Sequence, residues 1–571
     1  MVRFFFQLVF SPLRFFIFSY YRLRTLNHKL FITLNLHDSY TEEPLSYGIW
    51  AYLKPAKDRF YLLAIDLYDL LGGLRTGKIK KAALKVVIGH HNLGWAQAWE
   101  LRSLLTQLAE HKVEIRCYLK AEDKISLYIA SACAHITVPP TAALDFSPFT
   151  QQSIYVQSFL TKLGIRPQFL SVGDFKSAAE IFTRTSMSKE ARQQTEALIE
   201  SIESEFFDKV ARRVTDKKIR KKFPQIVGAN TALEIGLIHA VAGFSDFEHA
   251  LEQDFTKYKE MDIAEIPKYR YRTDYKVLSL RRPKKITLLM AEGNIVETET
   301  SRPGSINWPD YRDTIKAIKD SHTNGLIVRI NSPGGSATVS QMLWHELMIS
   351  TGRKKLPENE SSAKKQKKHV AALLPVIVSQ GNVAASGGYY LSAISDTIFS
   401  TPLSITGSIG VVGGKFNVAP LLKKWGIDID KAPKKGEEKI YSIMSDFTPA
   451  QKKEMQSHML EVYKVFVSDI ATGRNVDQKS ITPHAGGRVF SGRDAKRIGL
   501  INEWGGLTHA IDQMRQKLKL RDKDVVRLEI IPHIKQGLFN RSALPLGLRS
   551  LLMLEYFSKH RVYTADFRFM H

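Results

Sequence analysis

The chain contains a version of itself, and this internal duplication constrains its fold more than any other feature. YIASACAHITVPP begins at Tyr128, and YYLSAISDTIFSTP has its matching tyrosine at Tyr390, an offset of 262. ALEIGLI from Ala232 and AKRIGLI from Ala495 lie 263 apart. Two matches at nearly one offset mark a repeated unit. Upstream, KVVIGHHNLGW from Lys85 resembles LIVRINSPGG from Leu326 at an offset of about 240. The deficit of roughly 22 residues fits the polar run Arg353–His369, RKKLPENESSAKKQKKH, which reads as an inserted surface loop.

Each half has the same rhythm of a short β-rich apolar run, a turn, a helix-patterned segment and another apolar run. LIVRI, NSPGGS and ATVSQMLWHELMIS read as strand, turn and helix; PVIVSQ, GNVAASGG and YYLSAIS repeat the pattern. The alternation predicts an α/β fold, two tandem repeats each built on a largely parallel sheet. The expected boundaries are 46–275 for the first repeat, 276–520 for the second and 521–571 for a C-terminal extension. Ligands on such sheets bind where strands give way to helices, so the two glycine-rich turns are the places to look.

A formal charge of +25 over 571 residues calls for an anionic partner or surface. The basic residues carry no recognition-helix, zinc-knuckle or aromatic RNA-binding pattern, which argues against nucleic acid. An anionic membrane surface fits better. Residues 1–45 have no acidic residue before Asp38, and place Arg3, Arg14, Arg22, Arg24 and Lys29 among FFFQLVF and FFIFSYY. Pro12 and Arg14 interrupt the apolar stretch Phe4–Tyr21, so it reads as an interfacial or re-entrant anchor in preference to a clean span. LPLGLRSLLMLEYF (Leu544–Phe557) is a second apolar segment, equally readable as a core helix.

Ser386 stands in AASGGYY, after two alanines and before two glycines, at the expected start of a helix. Small neighbours let a bound backbone approach, and Gly387 offers an unhindered N–H. The helix N-terminus adds positive potential where an oxyanion would form. A serine there is also the ordinary helix N-cap, and in isolation the cap is the stronger reading. INSPGGS, Ile330–Ser336, sets Gly334 and Gly335 after a strand, where N–H groups can point at a second bound oxygen. As plain chain geometry it is a tight Pro-Gly turn.

Taken in order, INSPGGS, AASGGYY, TGSIG (Thr406–Gly410) and GRVFSGRDAKRIGLINEWGG (Gly487–Gly506) closely resemble the signal peptide peptidase A (protease IV) family. The first two more distantly resemble the Clp-protease/crotonase superfamily to which that family belongs. The duplication matches the family's long form. The resemblance implies tandem crotonase/Clp-protease-like repeats and a serine endopeptidase with a Ser–Lys dyad. Its substrates would be signal-peptide remnants or other extended apolar peptides at a membrane, in bacteria the inner membrane. It further implies no metal or organic cofactor, and a homo-oligomer, a tetramer.

The family's nucleophile maps onto Ser386, with Gly387 and either Gly334 or Gly335 as oxyanion donors. Its long-form base lies in a V-G-x-x-K-S-A motif, here VGDFKSA, which maps it onto Lys176. Short members carry the lysine in the region of KKGEEKIYSIMSDFTP, where the repeat offset leads from Lys176 to Lys439. Lys439 is therefore the rival base, in a charge-rich stretch, while the motif around Lys176 is intact. The physical requirement is the same for both. Lysine accepts a serine proton only when neutral, which means lowering its pKa from about 10.4 by roughly three units, about 4 kcal/mol. Burial between two repeats can supply that, and Ser177 is placed to hydrogen-bond the amine and orient it. Ser408 in TGSIG reads as part of a substrate-lining turn, or as a helix cap.

The first repeat has no serine centre of its own: Lys124 matches Ser386, and the Pro-Gly-Gly turn is replaced by NLGW (Asn92–Trp95). Other candidates lack their partners. His345 in HELMI has no second histidine, Ser361 in SSAK lies in the polar run, Cys117 and Cys133 have neither metal nor turn context, and His484 reads as structural. Two rival functions stay open: a crotonase-type acyl-CoA enzyme, and a catalytically inactive membrane scaffold of the same fold. The interrupted anchor, the extra charge, the basic insertion, and Asn502 where the family usually has Asp keep the scaffold alive.

Overall fold

The computed structural model describes residues 29–43, 46–47, 58–215, 223–263, 283–298, 304–354, 373–395, 397–430, 439–522, 524–532 and 534–535. Phe4–Tyr21, Leu544–Phe557 and nearly all of Arg353–His369 lie outside these residues. Among the described residues no helix is long and apolar enough to cross a membrane.

The first repeat is built on strands β1 (Lys29–Asp38), β2 (Lys81–His91), β3 (Glu114–Leu119), β4 (His135–Val138), β5 (Arg166–Val172), β6 (Ala240–Val241) and β7 (Lys259–Asp262). All but β5 form one sheet, in the order β6-β4-β3-β2-β1-β7, with every pair parallel. Its helices are α1 (Phe60–Arg75), α2 (Trp95–Glu110), α3 (Lys124–Ala130) and α4 (Lys189–Val210). β1 falls within the stretch expected to associate with a membrane. The period-2 pattern Leu30, Ile32, Leu34, Leu36, all buried, places it in the sheet and moves the start of the repeat back to at least Lys29. The basic and aromatic residues just upstream obscure that alternation in the sequence.

The second repeat contains β8 (Lys285–Glu292), β9 (Gly325–Ser332), β10 (Val376–Ala385), β11 (Ile398–Ser400), β12 (Ile405–Gly407), β13 (Val411–Asn417), β14 (Val489–Ser491), β15 (Glu503–Trp504) and β16 (Arg527–Ile531). Its helices are α5 (Trp308–Asp320), α6 (Ala337–Ser350), α7 (Gly387–Ser392), α8 (Pro449–Arg474) and α9 (Leu507–Lys517). The pairing β15-β11-β10-β9-β8-β16 reproduces the order of the first sheet strand for strand. β4 and β11 start 263 residues apart, as do β6 and β15. β16 lies beyond residue 520, so the second sheet claims the start of what reads as a C-terminal extension; RLEII is a short apolar run that a basic context hides. β10 also runs further than expected, through Gly381 to Ala385, because Asn331 accepts a hydrogen bond from the Val383 N–H where the β9–β10 register shifts. Only Ser386 is left between β10 and α7, which begins at Gly387.

The two repeats share a core. Ile286, Leu288, Met290, Ile327 and Ile377 from one face of the second sheet pack with α1, α2 and α9, and this cluster continues into the first sheet. Leu289, Leu326, Val328, Ile330, Val376 and Val378 face the other way, onto α5 and α6. The repeats also cap each other's helices. Asn382 of β10 accepts from the N–H groups of Ala96 and Gln97 at the start of α2, at 3.1 and 3.3 Å, and Glu100 of α2 accepts from Leu507 N–H at the start of α9, at 2.9 Å. Helix ends leave such donors without intrahelical partners, so each repeat completes the other. Between them Arg329 of β9 is buried against Glu42 and Glu100, each at 2.7 Å. Removing one member of a buried ion group leaves the rest uncompensated. Arg329→Ala is therefore expected to destabilise the protein by about 3–5 kcal/mol, read as a lowered urea midpoint; an unchanged midpoint contradicts the shared-core description.

Candidate active site

β9 and β10 pair in parallel, so the turns that follow them, Ser332–Ser336 and Ser386–Gly388, sit side by side. Ser386 caps α7 with φ 53° and ψ −118°, a conformation that costs a non-glycine residue of order 1–3 kcal/mol. It is held there by its N–H, which donates to Gly407 O at 2.8 Å. The two turns touch so closely that side chains are excluded. A Cβ on Gly387 would lie 2.3 Å from Ser340 Oγ, and one on Gly334, at φ +100°, would lie 2.6 Å from Gly387 N. Gly334 N–H donates to Ser332 Oγ at 3.2 Å. Gly335 and Gly387, whose N–H groups have no acceptor among the described residues, both line the cleft beside Ser386. Of the two glycines expected to share the second oxyanion position, Gly335 is the one left available.

Lys176 comes from the first repeat. β5 leaves its own sheet and pairs antiparallel with β13, from Arg166↔Asn417 to Val172↔Val411. The residues just after Val172 therefore lie beside those just before Val411. Lys176 is buried, with Nζ 3.0 Å from Ser386 Oγ, 3.0 Å from Ser408 Oγ and donating to Ser408 O at 2.9 Å. Burial lowers its pKa from the ordinary lysine value to about 7. Close packing of the loop against Gly486 and Gly487 supports this. Phe175 N–H donates to Gly486 O at 2.9 Å, and a Cβ on Gly487 would lie 2.7 Å from Lys176 Cβ.

Two sequence expectations differ from the structure. Ser177 does not reach the amine; its Oγ accepts from Gln194 Nε2 at 2.8 Å. A side chain next to the lysine in sequence points elsewhere on an irregular loop of successive turns. Ser408, expected to line the substrate channel, is the serine that holds the amine, from a left-handed φ of 53°. Lys439 is exposed on a turn ahead of α8 and does not line the cleft. In the first repeat the uniform offset of 263 makes Asp123, the N-cap of α3, the counterpart of Ser386, one residue before the expected Lys124. Lys124 Nζ instead pairs with Asp145 at 2.6 Å. Both cysteines are buried.

The cleft is open to solvent and flanked by Ala337, Tyr390, Val411, Val412, Val462 and Phe466. It offers a hydroxyl beside a buried amine, two free N–H groups and apolar walls. The domain model of peptidase family S49 matches residues 112–256 and 368–521, just over half of the chain and part of each repeat. The chain belongs to peptidase family S49. It is 28% identical over 466 residues to the chloroplastic serine protease SPPA of Arabidopsis thaliana, covering 78% of this chain and 65% of that protein. It is 27% identical to protease 4 of Salmonella typhi, covering 80% and 72% respectively. Protease 4 of Haemophilus influenzae is also 27% identical, covering 70% of this chain and 64% of that one. The chain thus spans a little under two thirds of the length of two of these three relatives.

Because Gly487 has no side chain where Lys176 passes, Gly487→Ala is expected to push the amine off Ser386. A misplacement of about 1 Å costs on the order of 100-fold in kcat/KM. Peptide hydrolysis by a folded Gly487→Ala variant at the wild-type rate contradicts this geometry.

Proposed function

We propose that the chain is a serine endopeptidase with a Ser–Lys dyad that cleaves extended apolar peptides, signal-peptide remnants among them, at an anionic membrane surface. The observation that carries the reading is the 3.0 Å approach of the buried Lys176 amine to Ser386 Oγ. Membership of a peptidase family and the names of the relatives support it. The neutral amine takes the Ser386 proton as Oγ attacks the scissile carbonyl carbon. The N–H groups of Gly387 and Gly335 receive the oxyanion. Collapse of the tetrahedral adduct breaks the C–N bond, and the Lys176 ammonium returns its proton to the leaving amine. Water then attacks the acyl-enzyme with the same amine as base. An extended peptide suits the cleft, whose walls are mostly apolar and whose mouth is open.

The net charge of +25 and the basic, aromatic N-terminal sequence support the membrane surface, and in a bacterium the inner membrane, as the place of action. A homo-oligomer, a tetramer, remains part of the proposal on the strength of the family resemblance.

The pH dependence follows from the sign of the lysine shift. Below about pH 7 the amine is protonated and cannot accept, so kcat/KM is expected to rise through a limb near pH 7 and fall about tenfold per unit beneath it. A flat profile from pH 5 to 10 overturns the proposal. Lys176→Ala is expected to lose at least about 1,000-fold in kcat/KM, and Lys439→Ala to stay within about twofold. Fluorophosphonate labelling lost in Ser386→Ala separates an active enzyme from an inert scaffold.

A further inference from the structure

Lys176 lies on a loop without regular structure, yet its amine must be held to within a fraction of an ångström. One side chain outside the site grips both of its neighbours. Gln194, buried on α4, donates from Nε2 to Ser177 Oγ at 2.8 Å and to Phe175 O at 3.4 Å. Its Oε1 accepts from Val489 N–H at 3.1 Å. Val489 begins β14, which pairs antiparallel with β12, and β12 runs directly into Ser408. Gln194 thus joins the residues on either side of the lysine to the strand pair that presents the serine holding its amine. A carboxamide suits this bridge because it carries donors at one end and an acceptor at the other.

We infer that Gln194 is a positioning residue for the proposed base, clamping the lysine loop of the first repeat onto the second so that the amine stays both dry and within reach of Ser386. The inference rests on the Ser–Lys reading. Burial is what lowers the amine's pKa, toward its neutral form. The charged and titratable groups on the elements that meet the loop are Asp174 within it, Glu180, whose N–H donates to Ser177 O at 2.9 Å, Arg488 over the Phe175 ring at 5.3 Å, His484 two residues before Gly486, Glu190, Arg192 and Glu196 flanking Gln194 along α4, and Tyr390 in the cleft wall. Releasing the clamp lets water reach the amine, favours its charged form and raises its pKa.

The test is the pH profile of kcat/KM for Gln194→Met, which removes the whole bridge, and Ser177→Ala, which removes one arm. In Gln194→Met the acid limb is expected to move up by about one pH unit, with activity down roughly fivefold at pH 7 and about tenfold at pH 5.5, but within about twofold of wild type at pH 9.5. Ser177→Ala should move it in the same direction by a smaller step. Loss by one constant factor at every pH, or a limb that stays in place, overturns the inference. Should Gln194→Met fail to fold, Ser177→Ala decides alone, a stationary limb counting against the clamp. An active Lys176→Ala enzyme would instead defeat the Ser–Lys reading itself, so the two failures are distinguishable.

Discussion

The antiparallel pairing of β5 with β13 is the contact on which the site depends. The site draws its serine and its lysine from different repeats: the nucleophile candidate is on the second sheet, and Lys176 follows a strand of the first. Seven residue pairs fix their register, ending at Val172 against Val411. Because strands in antiparallel pairs run opposite ways, the chain leaving Val172 and the chain arriving at Val411 occupy the same end of the ribbon. Lys176 and Ser408 meet there. A slip of one residue would turn every side chain of β5 to the other face and carry the lysine away.

Delivery alone does not make a lysine useful as a base. An exposed amine stays charged at neutral pH, and a carboxylate partner would hold it charged more firmly still. Here the partners within hydrogen-bond reach are two hydroxyls and a carbonyl, all neutral, so desolvation acts unopposed. The rest of the protein offsets what this costs. The positive-φ backbone at Ser386 and Ser408 is destabilising in itself, and the close approaches at Gly334, Gly387 and Gly487 leave no room for a side chain. A core shared across both sheets, with reciprocal helix capping and a buried Arg329, is rigid enough to keep them in place.

Much of this was legible in the sequence, and the exceptions have physical causes. The repeat, the parallel strands and the two glycine turns carry strong local patterns, because a buried parallel strand is apolar throughout and a close backbone approach demands glycine. Ser386 and Lys176 were identifiable through short motifs. What the sequence hid is non-local. β1 and β16 are strands only because partner strands lie beside them, and their basic surroundings resemble a surface tail. That Ser408 and not Ser177 holds the amine turns on where an irregular loop points its side chains, which adjacency in sequence does not report. Gln194 carried no motif at all; its meaning appears only when α4 lies against β14.

The duplication also accounts for the asymmetry between the halves. At the first repeat's equivalents of Ser386 and Ser408 stand Asp123 and Asp145, and the latter is paired with Lys124. A carboxylate beside a lysine stabilises the charged amine, the reverse of what a base requires. That ion pair, half open to solvent, occupies the corresponding place in the first repeat. The costly arrangement, a desolvated amine beside a hydroxyl, lies at the seam between the repeats. Separating support from chemistry in this way lets one half tolerate the strain of the other.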